Sequence, residues 1–138
     1  MYLKPNSNWT QASARFATYF FNNSTGNKTW ASMTKCTNDT AYYKVTVPAG
    51  NWANLIFCRM NPGTSANNWD NRWNQTGDLT WPGDKNLFTV PNGVWDSSNN
   101  GTNNSNWSSF TETVTKYTVT FKNGSTNLGT AEYSATDT

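Results

Sequence analysis

Trp69 and Trp73 lie in a run of amides and charged side chains that contains no aliphatic residue. Burying both rings in a core would carry the flanking polar groups inside without hydrogen-bond partners. An indole ring packs well on the C–H face of a sugar, and polar neighbours can bond the sugar hydroxyls. Asp70, Arg72 and Gln75 are neighbours of this kind. The pattern predicts a sugar-binding surface; the alternative is that both rings only anchor a long loop.

The spacing of Trp73 and Gln75 suggests how these two residues would act together. They are two positions apart, so a strand that begins there places both side chains on one face. The indole would then stack on one sugar ring while the amide bonds its hydroxyls.

An aromatic strand supplies further candidates. Alternation along residues 15–21 places Phe16 and Phe20 on one face and Tyr19 and Phe21 on the other. Both faces are aromatic, so we expect one to lie in the core and the other to be exposed.

Several classes of activity are excluded by composition. The chain contains no histidine, which removes Ser-His-Asp hydrolysis and the common zinc sites. The net charge is only +2 and no basic run is present, which argues against nucleic acid as a partner. No two of the eight acidic residues are set in an apolar stretch that would raise a carboxyl pKa. We therefore expect no catalytic residue, no cofactor and no metal site, and hence a protein that is not an enzyme.

The fold expected from the sequence is all-β. Helical periodicity is scarce, whereas alternating runs bounded by Asn, Gly and Pro are frequent. The candidate strands are residues 1–3, 15–21, 29–33, 41–47, 54–60, 75–80, 87–90 and 117–121. A short helix is considered over 66–72. The pattern predicts an antiparallel β-sandwich of immunoglobulin-like, Greek-key type with long aromatic-rich loops.

The chain divides at a tract rich in Asn and Ser. Residues 1–109 are expected to form one module, with its core in about 1–95 and a linker from 96 to 109. Residues 110–138 carry a hairpin signal and would begin a following β domain or add a strand pair. No leader sequence is evident, so the chain resembles a module excised from a larger protein, and no apolar run is long enough for membrane insertion.

The two cysteines allow two interpretations. Cys58 lies in an apolar run, which favours a buried thiol, and Cys36 lies near a turn. A Cys36–Cys58 disulfide is the other arrangement considered.

Residues 1–95 resemble bacterial starch-binding modules, in particular carbohydrate-binding module family 26. The elements that carry the resemblance are, in chain order, Tyr19-Phe20-Phe21, Trp30, Asn54-Leu55-Ile56-Phe57 and Gln75-Thr76-Gly77-Asp78-Leu79-Thr80. The resemblance implies a β-sandwich that binds α-1,4-glucan, with aromatic rings cupping the curved chain and a Gln bonding sugar hydroxyls. It implies site roles for Tyr19 or Phe21, for Trp30 and for Gln75.

The chain departs from the family pattern in one segment. Residues 58–74 replace a short turn and contribute Trp69, Asp70, Arg72 and Trp73, which would reshape or move the site. Phe21 also stands where a more polar aromatic residue is usual.

The sequence thus predicts a non-catalytic module that binds starch, amylose, amylopectin and maltooligosaccharides. We expect it to be a monomer within a larger extracellular protein, secreted by a bacterium or attached to its cell surface. The alternative function is a structural or adhesive module that uses the Trp-rich loop for protein contact.

Overall fold

The computed structural model describes residues 1–96 and 103–135, which form strands, turns and two 3-10 elements. The strands are β1 Tyr2–Lys4, β2 Arg15–Asn22, β3 Asn27–Ser32, β4 Thr34–Lys35, β5 Tyr43–Lys44, β6 Asn54–Met60, β7 Arg72–Gln75, β8 Leu79–Thr80, β9 Leu87–Thr89, β10 Trp107–Ser108, β11 Thr115–Asn123 and β12 Thr126–Ala135. The 3-10 elements are Gln11–Ser13 and Asn103–Asn106. The prediction of an all-β chain is confirmed, and the Greek-key type stays a prediction. Over the described ranges, no helix has the length and apolar character needed to cross a membrane.

Two five-stranded sheets and one hairpin organise these strands. The first sheet has the order β10-β9-β1-β5-β4, and in it β1 pairs parallel with β9 and antiparallel with β5. The second sheet has the order β3-β2-β6-β7, with β8 pairing the other end of β6. Within the described residues, strands β11 and β12 pair with each other and with no other strand.

The two five-stranded sheets pack face to face around one core. Phe16 and Phe20 of β2 are buried there, as the alternation predicts, and they belong to one cluster with Leu3 of β1 and Phe88 of β9. Burial of such side chains contributes about 1.5–3 kcal/mol each to the free energy of unfolding.

The outer face of the second sheet is also apolar. Phe21, Ile56 and Cys58 are buried in a smaller cluster, and Tyr19 and Trp30 pack against it while remaining partly exposed. A sheet face of this kind, aromatic and only partly covered, is where a ligand can replace water.

Some local predictions were wrong. Residues 66–71 form bends and turns rather than a helix, and Arg72 begins β7. The side chains of Asn68 and Asn71 bond nearby backbone groups instead of supporting a helix. The single strand expected over 75–80 is two strands, β7 and β8, separated by residues 76–78. Of the strand expected over 41–47, only Tyr43–Lys44 pairs in the first sheet.

The tract assigned to a linker contributes to the core. Trp107 is buried in β10, which pairs with β9, and its ring lies 5.3 Å from that of Phe88. Further along, Asn86 and Phe110 exchange two hydrogen bonds of 2.9 and 2.8 Å. The core therefore extends past residue 95 at least to Trp107, whereas the domain division near 109 stays a prediction.

The C-terminal hairpin forms where the Asn-Gly signal predicts it. Gly124 adopts φ of +60° in the turn between β11 and β12, and Tyr117 lies opposite Tyr133. Both tyrosine side chains are exposed.

Cys36 and Cys58 are separate buried thiols. Burial raises the pKa of Cys36 to about 11 and that of Cys58 to about 12, and the Glu112 carboxylate adds to the shift at Cys36. Both groups are protonated at neutral pH.

Candidate functional site

Three aromatic rings from two strands and one loop contact one another on the outer face of the second sheet. The centre of the Tyr19 ring lies 5.0 Å from that of Trp30 and 4.9 Å from that of Trp69. Trp30 and Trp69 are 4.6 Å apart. The planes are inclined to each other by 53° to 65°, so the rings meet tilted or edge to face. We call these residues the aromatic triad.

Strand register explains two members of the triad. Tyr19 of β2 is the direct cross-strand partner of Trp30 of β3, and cross-strand neighbours on one face lie within side-chain contact. Phe21 follows on the same face and stacks on Tyr19 at 5.5 Å, but it is buried. Phe21 therefore lies beside Tyr19 along β2, and its small exposed part lines the cavity next to the turn between β2 and β3.

The third member comes from the long loop between β6 and β7, and Arg15 fixes that loop. Arg15 Nη1 donates to Asn67 Oδ1 at 2.6 Å, and Nη2 donates to the carbonyl of Ala66 at 2.7 Å and to Thr64 Oγ1 at 3.1 Å. Asn67 Nδ2 in turn donates to Ser32 Oγ on β3 at 2.9 Å. The loop is thus tied to both strands that carry the other two rings.

Two shallow cavities adjoin the triad. One of about 250 Å³ is lined by Tyr19, Lys28, Thr29, Trp30 and Trp69. The second, of about 270 Å³, runs from Tyr19 and Lys28 along the turn between β2 and β3. Both cavities include Tyr19 and Lys28, so they adjoin each other. The first is the more aromatic, and Asn22, Asn23 and Asn27 border the second.

Polar groups approach the triad from β7. The guanidinium carbon of Arg72 lies 5.6 Å from the centre of the Trp69 ring, and Arg72 Nη1 donates a short hydrogen bond to Gln75 Oε1. Gln75 Nε2 donates to the carbonyl of Thr76 at 3.1 Å. Both amide atoms of Gln75 thus have partners within the chain, and Arg72 is the more exposed donor. Asp70 is exposed beside Trp69.

Trp73 does not belong to this group of residues. The pairing of β6 with β7 shifts between Arg59 and Met60, and Trp73 is the extra residue at this irregularity. Its ring lies 4.8 Å from the guanidinium carbon of Arg59, whereas Gln75 pairs with Cys58 on the outer face. The prediction that Trp73 and Gln75 share a face was therefore wrong.

A second aromatic group, which was not predicted from the sequence, surrounds Arg59. Arg59 is buried, and its guanidinium carbon lies 5.2 Å from the ring of Trp95 as well as beside Trp73. Asp96 accepts hydrogen bonds from Asn74 Nδ2 and from the backbone N–H of Gln75. Arg59 is the one charged residue of β6, and this position within an apolar strand was the sequence signal that could have identified it.

The described residues contain no group of three His, Cys, Asp or Glu side chains placed to hold a metal ion. The aromatic triad offers ring faces for stacking, and Arg72 and Asp70 beside it offer hydrogen-bonding groups. No protein-family model, curated protein or solved structure matches the chain. The resemblance to carbohydrate-binding module family 26 stays a prediction.

Proposed function

We propose that this chain is a non-catalytic carbohydrate-binding module for starch and related α-1,4-glucans. The observation that carries the proposal is the aromatic triad, whose three partly exposed rings meet at inclinations of 53° to 65° beside a shallow cavity. A curved glucan can place successive sugar faces on inclined rings, whereas a flat chain would require coplanar ones. Tyr19, Trp30 and Trp69 supply the stacking surface.

The polar groups around the aromatic triad would form the hydrogen bonds to the sugar. Arg72 and Lys28 are exposed donors on two sides of it, and Asp70 is an exposed acceptor. Gln75 holds Arg72 in place through its amide oxygen. Charged donors and acceptors form the stronger class of hydrogen bonds, and their arrangement around the rings would orient the sugar.

The affinity expected from these contacts is moderate. Stacking that buries about 100 Å² of apolar surface contributes on the order of 2.5 kcal/mol. A few hydrogen bonds add about 1 kcal/mol each, and the loss of translational and rotational freedom offsets part of the sum. Dissociation constants from tens of micromolar to millimolar follow. Such a module would direct a larger extracellular protein to starch.

Protein contact through the Trp-rich loop is the competing proposal. Interface cores combine aromatic residues with aliphatic ones. Among the described residues, the large aliphatic side chains that are exposed are Val114, Val119 and Leu128, which all lie in or next to the β11–β12 hairpin. The triad is bordered by amides and charges instead, which favours a sugar.

The test is retention of the full chain on insoluble starch, with cellulose as the control polymer, and calorimetric titration with maltoheptaose. We expect binding to starch and maltoheptaose but not to cellulose. Trp30→Ala should weaken maltoheptaose binding at the aromatic triad at least tenfold, about 1.4 kcal/mol. Tyr133→Ala, which removes an exposed ring from the hairpin, is the matched control and should bind normally. Failure of the wild-type chain to bind starch would refute the proposal.

A further inference from the structure

We propose that Trp73 and Trp95, held by Arg59, form a second α-glucan contact that is separate from the aromatic triad. The inference rests on the proposed function, because it assigns the same class of ligand to another surface. It adds that one module can hold two glucan chains, or two segments of one chain.

The exposure of the two rings is the first observation. Trp73 is 41% exposed and Trp95 is 42% exposed, whereas the same chain buries Trp9 and Trp107 almost completely. Exposed indoles that lie close together on a soluble domain mark a surface used for binding.

Arg59 gives these rings a rigid support. Its Nε donates to the carbonyl of Trp9 at 2.9 Å, its Nη2 to the carbonyl of Gln11 at 2.8 Å and its Nη1 to Asn74 Oδ1 at 3.1 Å. The guanidinium, fixed in this way, lies over both indoles at 4.8 and 5.2 Å. The rings are consequently held in place before any ligand arrives, which lowers the entropy lost on binding.

The segment that carries Trp95 is fixed as well. Trp9 Nε1 donates to the carbonyl of Trp95 at 2.7 Å. Asn6 Nδ2 donates to the carbonyls of Pro91 and Val94, both at 2.7 Å. Trp95 is therefore an exposed side chain on an immobilised backbone, which is the arrangement expected of a binding platform rather than of a loosely packed loop.

The border of this surface is polar and selects the ligand. Asp96 is an exposed carboxylate that accepts from Asn74 Nδ2 at 3.1 Å and from the backbone of Gln75 at 3.0 Å. Among the described residues, neither β7 nor residues 91–96 carry an exposed aliphatic side chain. Indoles bordered by a carboxylate and amides match sugar hydroxyls and C–H faces, and they lack the aliphatic contacts of a protein interface.

The irregularity in β7 explains how one short strand serves two surfaces. Arg72 and Gln75 are directed toward the triad, whereas Trp73, the extra residue between the paired positions, contacts Arg59. Two contacts on one rigid module raise the affinity for a polymer through effective concentration, with little change for a ligand too short to reach both.

The test compares the full chain with two double variants, Trp73→Ala/Trp95→Ala and Trp30→Ala/Trp69→Ala. We expect calorimetry with maltoheptaose to give two sites per chain for the wild type and one for each double variant. Retention on insoluble starch should fall at least tenfold for both. Tyr117→Ala/Tyr133→Ala, which removes two exposed rings from the hairpin, is the control and should retain both sites. Trp73→Phe/Trp95→Phe keeps a stacking ring at each position and should preserve the second site.

The outcomes separate the two proposals. One site in the wild type, together with unchanged starch retention in Trp73→Ala/Trp95→Ala, overturns the second contact and leaves the triad standing. Binding that survives loss of the triad and disappears with Trp73 and Trp95 would move the glucan site to the second surface and overturn the two-site inference. A wild-type chain that binds neither starch nor maltoheptaose overturns both proposals.

Discussion

Arg15 Nη1 donates a 2.6 Å hydrogen bond to Asn67 Oδ1 and so joins the start of β2 to the loop that presents Trp69. The same guanidinium reaches the carbonyls of Asn61 and Ala66. A loop rich in Asn has little apolar surface with which to pack against the sheet. Arg15 supplies that attachment, which makes it a positioning residue for the aromatic triad.

Replacing this guanidinium should weaken glucan binding without removing any ring. Arg15→Met is expected to weaken maltoheptaose binding about five- to tenfold, because Trp69 must then be ordered when the sugar binds. Arg15→Lys should bind maltoheptaose nearly as weakly as Arg15→Met, since an ammonium group lacks the planar set of N–H donors that bonds several oxygens at once. Limited proteolysis within residues 61–71 should accelerate in both variants. Lys116→Met, on the exposed hairpin, is the control and should change neither property.

A buried hydroxyl in the core offers a stability test with a predicted sign. Thr18 Oγ1 is buried without a hydrogen-bond partner. Thr18→Val removes that cost at nearly constant volume and should raise the free energy of unfolding by about 1 kcal/mol. Thr76→Val is the matched control, because Thr76 Oγ1 accepts from the N–H of Phe57 at 3.1 Å. It should lower the free energy of unfolding by about 1–2 kcal/mol. If urea denaturation gave the same change in the free energy of unfolding for Thr18→Val and Thr76→Val, the conclusion that Thr18 Oγ1 is buried without a partner would be contradicted.

The buried thiols predict a loss of stability at alkaline pH. The unfolded chain releases its thiol protons near the ordinary pKa of 9.0, whereas the folded chain keeps them until about pH 11 at Cys36 and about 12 at Cys58. The unfolded state therefore binds fewer protons above pH 9, and the free energy of unfolding falls there by up to about 1.4 kcal/mol per pH unit for each thiol. Burial also raises the pKa values of Tyr2 and Tyr43, which adds to the fall above pH 10.

Denaturation curves between pH 7 and 10 check this prediction. The wild-type free energy of unfolding should fall steeply above pH 9. Cys36→Ala/Cys58→Ala should be less stable at pH 7 but show a weaker fall up to pH 10. An equally steep fall in that variant would assign the pH dependence to other groups.

Two truncations test where the folded module ends. A chain of residues 1–114 keeps Trp107, the Asn86–Phe110 bonds and the 3.2 Å ion pair of Lys44 with Glu112, so it should melt within a few degrees of the full chain and bind starch. A chain of residues 1–96 lacks the Trp107 ring, whose removal alone is expected to cost about 3–5 kcal/mol. It should lose cooperative thermal unfolding. Failure of residues 1–114 to fold would show that the hairpin completes the sandwich.

The sequence predicts those features that follow from local alternation. The two faces of β2, the partial exposure of Tyr19 and the turn at Gly124 follow from a period of two and from turn chemistry. The irregularity at Trp73 depends on a register between β6 and β7 that no single strand encodes. Trp107 lies in a polar tract, and its burial depends on the empty space beside Phe57 and Phe88, which only the assembled sheets create.

The position of β1 in the first sheet has a consequence for folding kinetics. Tyr2 pairs with Leu87 in parallel on one side and with Lys44 on the other, so a three-residue strand at the N-terminal end of the chain lies in the middle of its sheet. During synthesis, this strand has no complete set of partners until the ribosome has released residues far beyond the middle of the chain. Closing loops of that length makes the folding transition slow. Until then the aromatic residues of β2 and β6 are exposed together, and the risk of aggregation is greatest while the chain is being made.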